Sequence, residues 1–564
     1  GADPWASYGG AGAASSWAGG DSWSSGGGDG GRGGGNNWDS WGDSSWAKDG
    51  SDQWGEGWPA GEDGWKSGGG GGAWGEQESS EVGSWAPNIR CINWNGLQLV
   101  PIEKNFHEEH PAVGSRTEAE VLGIRARHDI EVLAGDDLSI PKPVTAFEES
   151  GFPAWLLDAI EAKGFSAPTP IQIQVWPIAL QGRDLIGIAE TGSGKTLAYL
   201  LPMMIHILAQ EELKPNEGPV GVVLCPTREL AVQIFDVSQD YIGQSGLRSA
   251  VIYGGVDAKQ QGRALEEKTD IVVATPGRFI QLLNEGWTNL NRVTYVVLDE
   301  ADVMLKVGFG EQIKLILSQV RPDRQMLMFS ATWPREVQKL ACEHCTASEG
   351  LEPVTIRVGG DRLAACRTIS QTVLVLPSAE EKFRKLTEAI KKSGCDKEGA
   401  DDKCLIFCRT KATVDKLVWE LSEDGIQANG LHSGKMQSER QLALDSFKKG
   451  EQSCLVSTAC LSRGHDIPRV RYVVNYDAPS DVESYVHSIG RTGRAGVRGF
   501  ALTFLTSREA KMASQLIGVL NETKQKVPDK LEELARQAAE AEAAWSEKAW
   551  NEQAWDEQAW KEGA

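Results

Sequence analysis

Two segments of this chain hold residues that could bind and cleave a nucleoside triphosphate. Ala189-Glu190-Thr191-Gly192-Ser193-Gly194-Lys195-Thr196 is a glycine-rich run ending in Lys-Thr. Val296-Val297-Leu298-Asp299-Glu300-Ala301-Asp302 ends an apolar run in carboxylates, with Asp299 104 residues after Lys195. In the first, backbone N–H groups from Gly192, Ser193, Gly194, Lys195 and Thr196 can point at phosphate oxygens where a strand turns into a helix. Lys195 adds a point charge for the β- and γ-phosphates, and the Thr196 hydroxyl suits Mg²⁺. In the second, Asp299 suits the same Mg²⁺, partly through water. Glu300 suits positioning or deprotonating the attacking water. Either segment alone could be an ordinary turn; the pair implies triphosphate cleavage.

Such groups must sit at strand ends, and the surrounding text provides strands. Short Val/Ile/Leu runs occur at 184–189, 221–225, 249–253, 270–275, 294–299 and 325–330, and again at 372–377, 404–408, 453–458, 471–477 and 499–505. They alternate with longer helical patterns. Near-continuous apolar strands alternating with helices predict parallel sheets covered on both faces. Two series, joined near 358–370, predict two α/β domains in tandem. The boundaries read as 1–85, a Gly/Trp/Asp-rich tail; 86–145, an N-terminal extension; 146–360 and 361–525, the two sheet domains; and 526–564, an acidic Ala/Trp-repeat tail.

Composition narrows the partners. Residues 1–85 hold 11 of the 21 Trp, with 13 acidic and 3 basic residues, a net of −10. Residues 530–564 hold 9 acidic and 4 basic, a net of −5. The tails thus carry −15 of the total −22. This sign argues against passive, charge-driven binding to nucleic acid and leaves room for a local basic groove. Residues 1–85 hold too little aliphatic surface to offset chain entropy, which predicts disorder. Residues 528–548 read as helical, and Trp545, Trp550, Trp555 and Trp560 then recur every five residues. Ten Cys show no disulfide framework, and Cys342-Glu343-His344-Cys345 lacks a second pair for zinc. No leader-like segment and no apolar run of ~20 residues is present, so an intracellular setting without a membrane span is expected.

Asp299-Glu300-Ala301-Asp302 spells the signature of the DEAD-box ATP-dependent RNA helicases, and nine motifs resemble that family in order over roughly 100–520. The resemblance implies two tandem RecA-like domains, ATP and Mg²⁺ as cofactors, and RNA bound without sequence reading. Gly164–Gln172 looks like the adenine-reading Q motif, with Phe147 at the expected aromatic position 17 residues ahead of Gly164. Gln172 would meet the adenine edge and Phe147 would stack on the ring. Pro226, Thr227 and Arg228, then Gly255, then Thr275, Pro276, Gly277 and Arg278 resemble the RNA contacts of the first domain. Ser330 and Thr332, facing the Asp302 side, resemble the motif that couples hydrolysis to closure. In the second domain Gln437, Arg440 and Thr458 resemble RNA contacts, and Asp466 a ribose contact. Arg491 and Arg494 are spaced like arginine fingers reaching the γ-phosphate. Lys104-Asn105-Phe106, Glu109-His110-Pro111, Arg116-Thr117 and Pro141-Lys142-Pro143-Val144 look like the approach segment of the p-sixty-eight-like subgroup, often nuclear and active in ribosome biogenesis and mRNA processing.

The sequence departs from the family pattern at several points. Glu190 replaces a usual Gln, Lys306 a commonly acidic residue, Ala459 a usual Asp, His465 a usual Leu and Ser488 a usual Arg. These changes motivate an alternative, a weakly hydrolysing RNA clamp that serves as an assembly scaffold. Trp beside Gly, as in Trp41-Gly42 and Gly64-Trp65, resembles hooks for protein partners of small-RNA pathways. The expected state is a monomer, in the nucleus and/or cytoplasm.

Overall fold

A computed structural model of the chain describes residues 86–90, 92–94, 97, 99–134, 140–190, 192–243, 245–345, 352–359, 369–397, 399–461, 467–493 and 497–541. The disorder expected for 1–85, the four Trp after 541, Asp466 and Arg494 lie outside these residues.

The first domain is built on eight strands: β1 (Ile130–Ala134), β2 (Leu185–Ile188), β3 (Gly221–Leu224), β4 (Ser249–Ile252), β5 (Ile271–Ala274), β6 (Tyr295–Leu298), β7 (Gln325–Ser330) and β8 (Val354–Val358). Their order is β1-β8-β2-β7-β6-β3-β5-β4. Every pairing is parallel except β1 with β8. The second domain has six strands: β9 (Ile369–Val375), β10 (Lys403–Phe407), β11 (Ala428–Leu431), β12 (Cys454–Ser457), β13 (Val470–Asn475) and β14 (Gly499–Leu505). They run β11-β12-β10-β13-β14-β9, all parallel.

Successive strand residues face opposite cores. Leu185 packs with Trp176 and Tyr199 on one face of the first sheet, while Ile186 packs with Val222 and Leu298 on the other. Full burial of such a side chain contributes about 1.5–3 kcal/mol, which is why these strands carry no polar alternation. Gly187 in β2 pairs with Phe329 in β7, and a Cβ there would lie 2.5 Å from the Phe329 ring. The glycine makes room for an aromatic beside the phosphate loop.

Three strands were not anticipated. The extension supplies β1, an antiparallel edge on β8, and β8 itself precedes the junction between the domains. β11 is Ala-Asn-Gly-Leu, with no β-branched residue to mark it. The extension is also tied down by side chains: Lys142 Nζ donates to the Gly114 and Arg116 carbonyls, and Arg116 pairs with Glu149. At the other end, a helix over 529–541 buries Leu531 and Leu534 in a core of the second domain, so the first part of the acidic tail is anchored.

Candidate functional site

Parallel strands end on the same edge, so every loop that follows a strand of the first sheet opens on one side. β2 leads into the phosphate loop, β7 ends at Ser330, and β6 leads into Asp299 and Glu300. The order β2-β7-β6 places the loop and the carboxylates two strands apart, about 10 Å. A sequence separation of 104 residues becomes adjacency, with Ser330 between the two.

The loop is shaped by glycines. Gly192 and Gly194 have φ of +84° and +92°, a left-handed region that glycine adopts freely. Lys195 starts the helix Lys195–Leu208, is 6% exposed, and donates from Nζ to the Ala189 carbonyl at 2.9 Å. Gln172 Oε1 accepts the Thr169 N–H at 2.9 Å, and its Nε2 donates to the Gly194 carbonyl at 2.9 Å. Gln172 therefore ties the helix Pro170–Leu180 to the phosphate loop. Its amide keeps a second lone pair and a second hydrogen for another partner. Phe147 is half-buried against Trp176, ring centroids 6.1 Å apart. Glu190 is exposed beside the loop; partial desolvation raises its carboxyl, and Lys195 opposes this.

Asp299 and Glu300 are both 3% exposed. Asp299 Oδ2 accepts the Tyr199 hydroxyl at 3.0 Å, and Asp299 Oδ1 accepts the Glu300 N–H at 2.9 Å. Thr196 also lies near the Tyr199 hydroxyl, so the two expected metal ligands share one neighbour. Tyr199 lies four residues after Lys195, one turn along the same helix face, a spacing that could have flagged it. Glu300 has φ +54° and is not glycine; such backbone costs about 1–3 kcal/mol and recurs at functional sites. Burial, then the neighbouring Asp299, pushes the Glu300 carboxyl up to about 7; Lys195 and Arg491 act the other way. Its Oε2 is buried with no hydrogen-bond partner among the described residues.

The second domain faces this site with the helix Val482–Ile489 and the turn after it. His487 Nε2 lies 3.7 Å from Asp302 Oδ2, which also accepts the Thr332 hydroxyl at 2.9 Å. Ser330 Oγ donates to the Thr332 carbonyl at 2.6 Å. Arg491 is 3% exposed, donates from Nε to the His487 carbonyl at 3.3 Å, and its charge bears on Glu300. Sequence reasoning assigned His487 no role, because its partner lies in the other domain.

Residues of the expected RNA track follow the next strands. Thr227 caps the helix Arg228–Ile242 by accepting the Leu230 N–H at 3.2 Å, and Pro226 is buried ahead of it. The Arg228 guanidinium lies over Gly254 and Gly255; Gly255 has φ +90°. Thr275 and Pro276 are buried at the start of the helix Pro276–Asn284, and Gly277 is exposed. Arg278 Nη1 donates to the Val256 carbonyl at 2.9 Å and to Gln261 Oε1 at 3.1 Å. Burial and the nearby Arg228 lower the Arg278 pKa. In the second domain Thr458 is half-buried, and its N–H donates to the Leu431 carbonyl at 3.2 Å. Gln437 Oε1 accepts Arg440 Nη1 at 3.2 Å. Arg440 is also paired across the domains with Glu229, both side chains 4% exposed. Glu229, next to Arg228, is a functional candidate that only this cross-domain pairing reveals.

The DEAD/DEAH box helicase family model matches residues 169–340, and the helicase conserved C-terminal domain model matches 381–496. The ATP-dependent RNA helicase DBP2 of Chaetomium thermophilum is 48% identical over 444 residues, 79% of this chain and 78% of that protein. The dbp2 protein of Neurospora crassa is 46% identical over 446 residues, 79% of this chain and 77% of its own length. Dbp5 of S. cerevisiae, bound to RNA and ADP BeF3, matches in structure with a TM-score of 0.59 at 28% identity, over 70% of this chain and 99% of that one. An identity this high over so much of both lengths leaves one assignment: this chain belongs to the DEAD-box ATP-dependent RNA helicases, in the p-sixty-eight-like subgroup.

Proposed function

We propose that this protein couples ATP binding and hydrolysis to clamping single-stranded RNA, and so locally opens duplexes or remodels RNA–protein complexes. The observation that carries this reading is the approach of His487 to Asp302. A buried carboxylate beside Glu300 lies 3.7 Å from an imidazole on the second-domain helix that leads to Arg491, so the site is complete only when the domains meet.

Each residue has a role in this reading. Phe147 and Gln172 receive the adenine, and the loop Gly192–Thr196 with Lys195 receives the phosphates. Glu300 takes the proton of the attacking water. Arg491, with Arg494, stabilises charge as the γ-phosphoryl group is transferred, a contribution of about 10³–10⁵ in rate in other phosphoryl-transfer enzymes. Mg²⁺ suits Thr196 and Asp299, which approach one Tyr199 hydroxyl. It is ordinarily held by one or two carboxylates plus phosphates and water, in keeping with the lack of any cluster of three or more acidic, His or Cys ligands among the described residues. When bound, Mg²⁺ offsets phosphate charge.

RNA is held by its backbone. Arg228 and Arg278 are close enough to repel, a repulsion that one phosphate would relieve. Thr227, Thr275, Gly255, Gly277, Gln437, Arg440 and Thr458 complete the track, which reads no bases. ATP then acts as differential binding energy for the closed state, and hydrolysis weakens closure through Asp302, Ser330 and Thr332. The Trp-rich acidic tails recruit protein partners, the core works as a monomer, and the subgroup resemblance favours the nucleus and/or cytoplasm.

The test is ATP turnover with and without single-stranded RNA, for the native chain and Glu300→Gln. RNA-stimulated turnover, lost in a variant that still binds ATP and RNA, is expected. RNA binding without turnover in the native chain would leave the clamp-and-scaffold reading instead.

A further inference from the structure

We propose that Lys306 is a closure-positioning residue: it bridges the two domains to Asp481 and Glu483 and so docks the helix that carries His487 and leads to Arg491. The proposal rests on the reading above, that the meeting of the domains completes the site.

Lys306 ends the helix Ala301–Lys306, which begins directly after Glu300. Asp481 caps the helix Val482–Ile489, and Glu483 lies in its first turn. Lys306 Nζ is 3.7 Å from Asp481 Oδ1 and is also paired with Glu483. A helix C-terminus carries partial negative charge and an N-terminus partial positive charge. Lys306 thus suits the end of its own helix, and the two carboxylates suit the start of theirs. The bridge joins both ends in a favourable sense.

The acceptors are pre-set. Asp481 Oδ1 accepts the Ser484 N–H at 2.8 Å, and Oδ2 accepts the Ser484 hydroxyl at 2.9 Å. Burial raises the Asp481 carboxyl, but the Ser484 and Ser480 donors, with Lys306, bring it below the usual range. Its orientation therefore does not depend on Lys306, so little ordering is left for closure to impose.

Exposed ion pairs contribute little to folding, and the Lys306 side chain is 39% exposed. Here the partners belong to different domains, so whatever the pair contributes goes to the closed arrangement. Among the described residues, the other close charged or titratable pairs across this boundary, Arg440–Glu229 and His487–Asp302, involve residues of the proposed RNA and coupling machinery. Neither of those pairs includes Lys306. An acidic residue at 306, as the resembled family commonly has, would face two carboxylates and repel them. The lysine is therefore matched to this chain's own Asp481 and Glu483.

The experiment uses the full chain as native protein, Lys306→Arg, Lys306→Glu, Glu483→Lys and the Lys306→Glu/Glu483→Lys exchange. ATP turnover is titrated with a uridine-rich single-stranded RNA, and retention of that RNA is measured with ADP–beryllium fluoride. Lys306→Glu should raise the RNA concentration for half-maximal turnover about three- to tenfold and shorten RNA retention by a similar factor. Turnover at saturating RNA should change by less than about twofold. Lys306→Arg should behave as native, and the exchange should recover part of both losses, since Asp481 still faces position 306. Lys306→Glu behaving as native, or an exchange no better than the single changes combined, overturns the proposal. Retention is read without turnover, so a native chain that fails to hydrolyse ATP refutes the functional reading while still reporting on Lys306.

Discussion

Asp302 Oδ2 accepts the Thr332 hydroxyl at 2.9 Å, and His487 Nε2 of the other domain lies 3.7 Å from the same oxygen. One buried carboxylate oxygen thus reports to the strand end beside the phosphate loop and to the second domain. Thr332→Val keeps the shape and removes the donor. A hydrogen bond to a charged group contributes about 1.5–3 kcal/mol, and here its loss falls on the linkage between domains. Duplex unwinding should therefore drop by more than tenfold while RNA-stimulated ATP turnover drops less. Equal losses in both assays would count against the coupling role.

Glu300 predicts a pH dependence. Burial, with Asp299 beside it, pushes this carboxyl up to about 7, above its ordinary 4.5. Between those values the folded chain binds more protons than the unfolded one, so stability falls as pH rises through that window. Glu300→Gln removes the group. Melted without nucleotide, the variant should gain on the native chain from pH 5 to pH 7 and hold a constant lead above it. Turnover by the native enzyme should rise through pH 7 as the base deprotonates, and the variant should lose about 10²–10⁴ in rate. Parallel melting curves at all pH values would refute the assigned titration.

Arg491 is buried and its charge lowers the pKa of Glu300. Arg491→Ala should cut turnover by about 10³ or more while ATP binding to the first domain changes little. Equilibrium binding of a fluorescent ATP analogue beside single-turnover hydrolysis separates the two. A variant that loses nucleotide affinity in proportion to rate would place Arg491 in ground-state binding instead.

Ser488 is 2% exposed and closes its hydroxyl on the Tyr485 carbonyl at 2.7 Å, whereas Ala459 is exposed at the start of the single turn Ala459–Leu461. Ser488→Arg alone buries a charge and should destabilise by several kcal/mol. Ala459→Asp alone should be near neutral. If the two departures from the family pattern are linked, the double variant recovers at least about 1 kcal/mol of the loss in a denaturant-melt cycle. Strict additivity would end the idea that they are linked.

How much was legible depended on how far each feature reached along the chain. β2 to β7 were legible because each is a short apolar run with a motif at its C-terminal end, and the parallel order then fixes where Lys195, Asp299, Ser330 and Arg228 meet. β11 was not, since Ala-Asn-Gly-Leu is a strand through its pairing with β12 rather than by composition. Arg440 was legible as a cation in a Gln-x-x-Arg spacing, but its pairing with Glu229, 211 residues away, was not. No periodicity encodes which residues of two separate sheets will face each other. Lys306 showed only as an oddity of charge until Asp481 and Glu483 appeared opposite it.

Gly255 is the position where backbone geometry bears most directly on RNA. Its φ of +90° disfavours any L side chain, and a Cβ there would run into the Arg228 guanidinium. Gly255→Ala therefore carries two costs, backbone strain of about 1 kcal/mol or more and displacement of Arg228. Arg228 and Arg278 lie near one another, so moving one spreads the paired charge that a phosphate would bridge. The variant should bind single-stranded RNA at least tenfold more weakly, with a shallower salt dependence because one phosphate contact is lost. ATP binding without RNA should be unchanged, since β4 stands at the far edge of the sheet from β2. Fluorescence anisotropy at several salt concentrations provides the slope. An unchanged slope with weaker binding would mean that the loop had misfolded without touching the Arg228 contact.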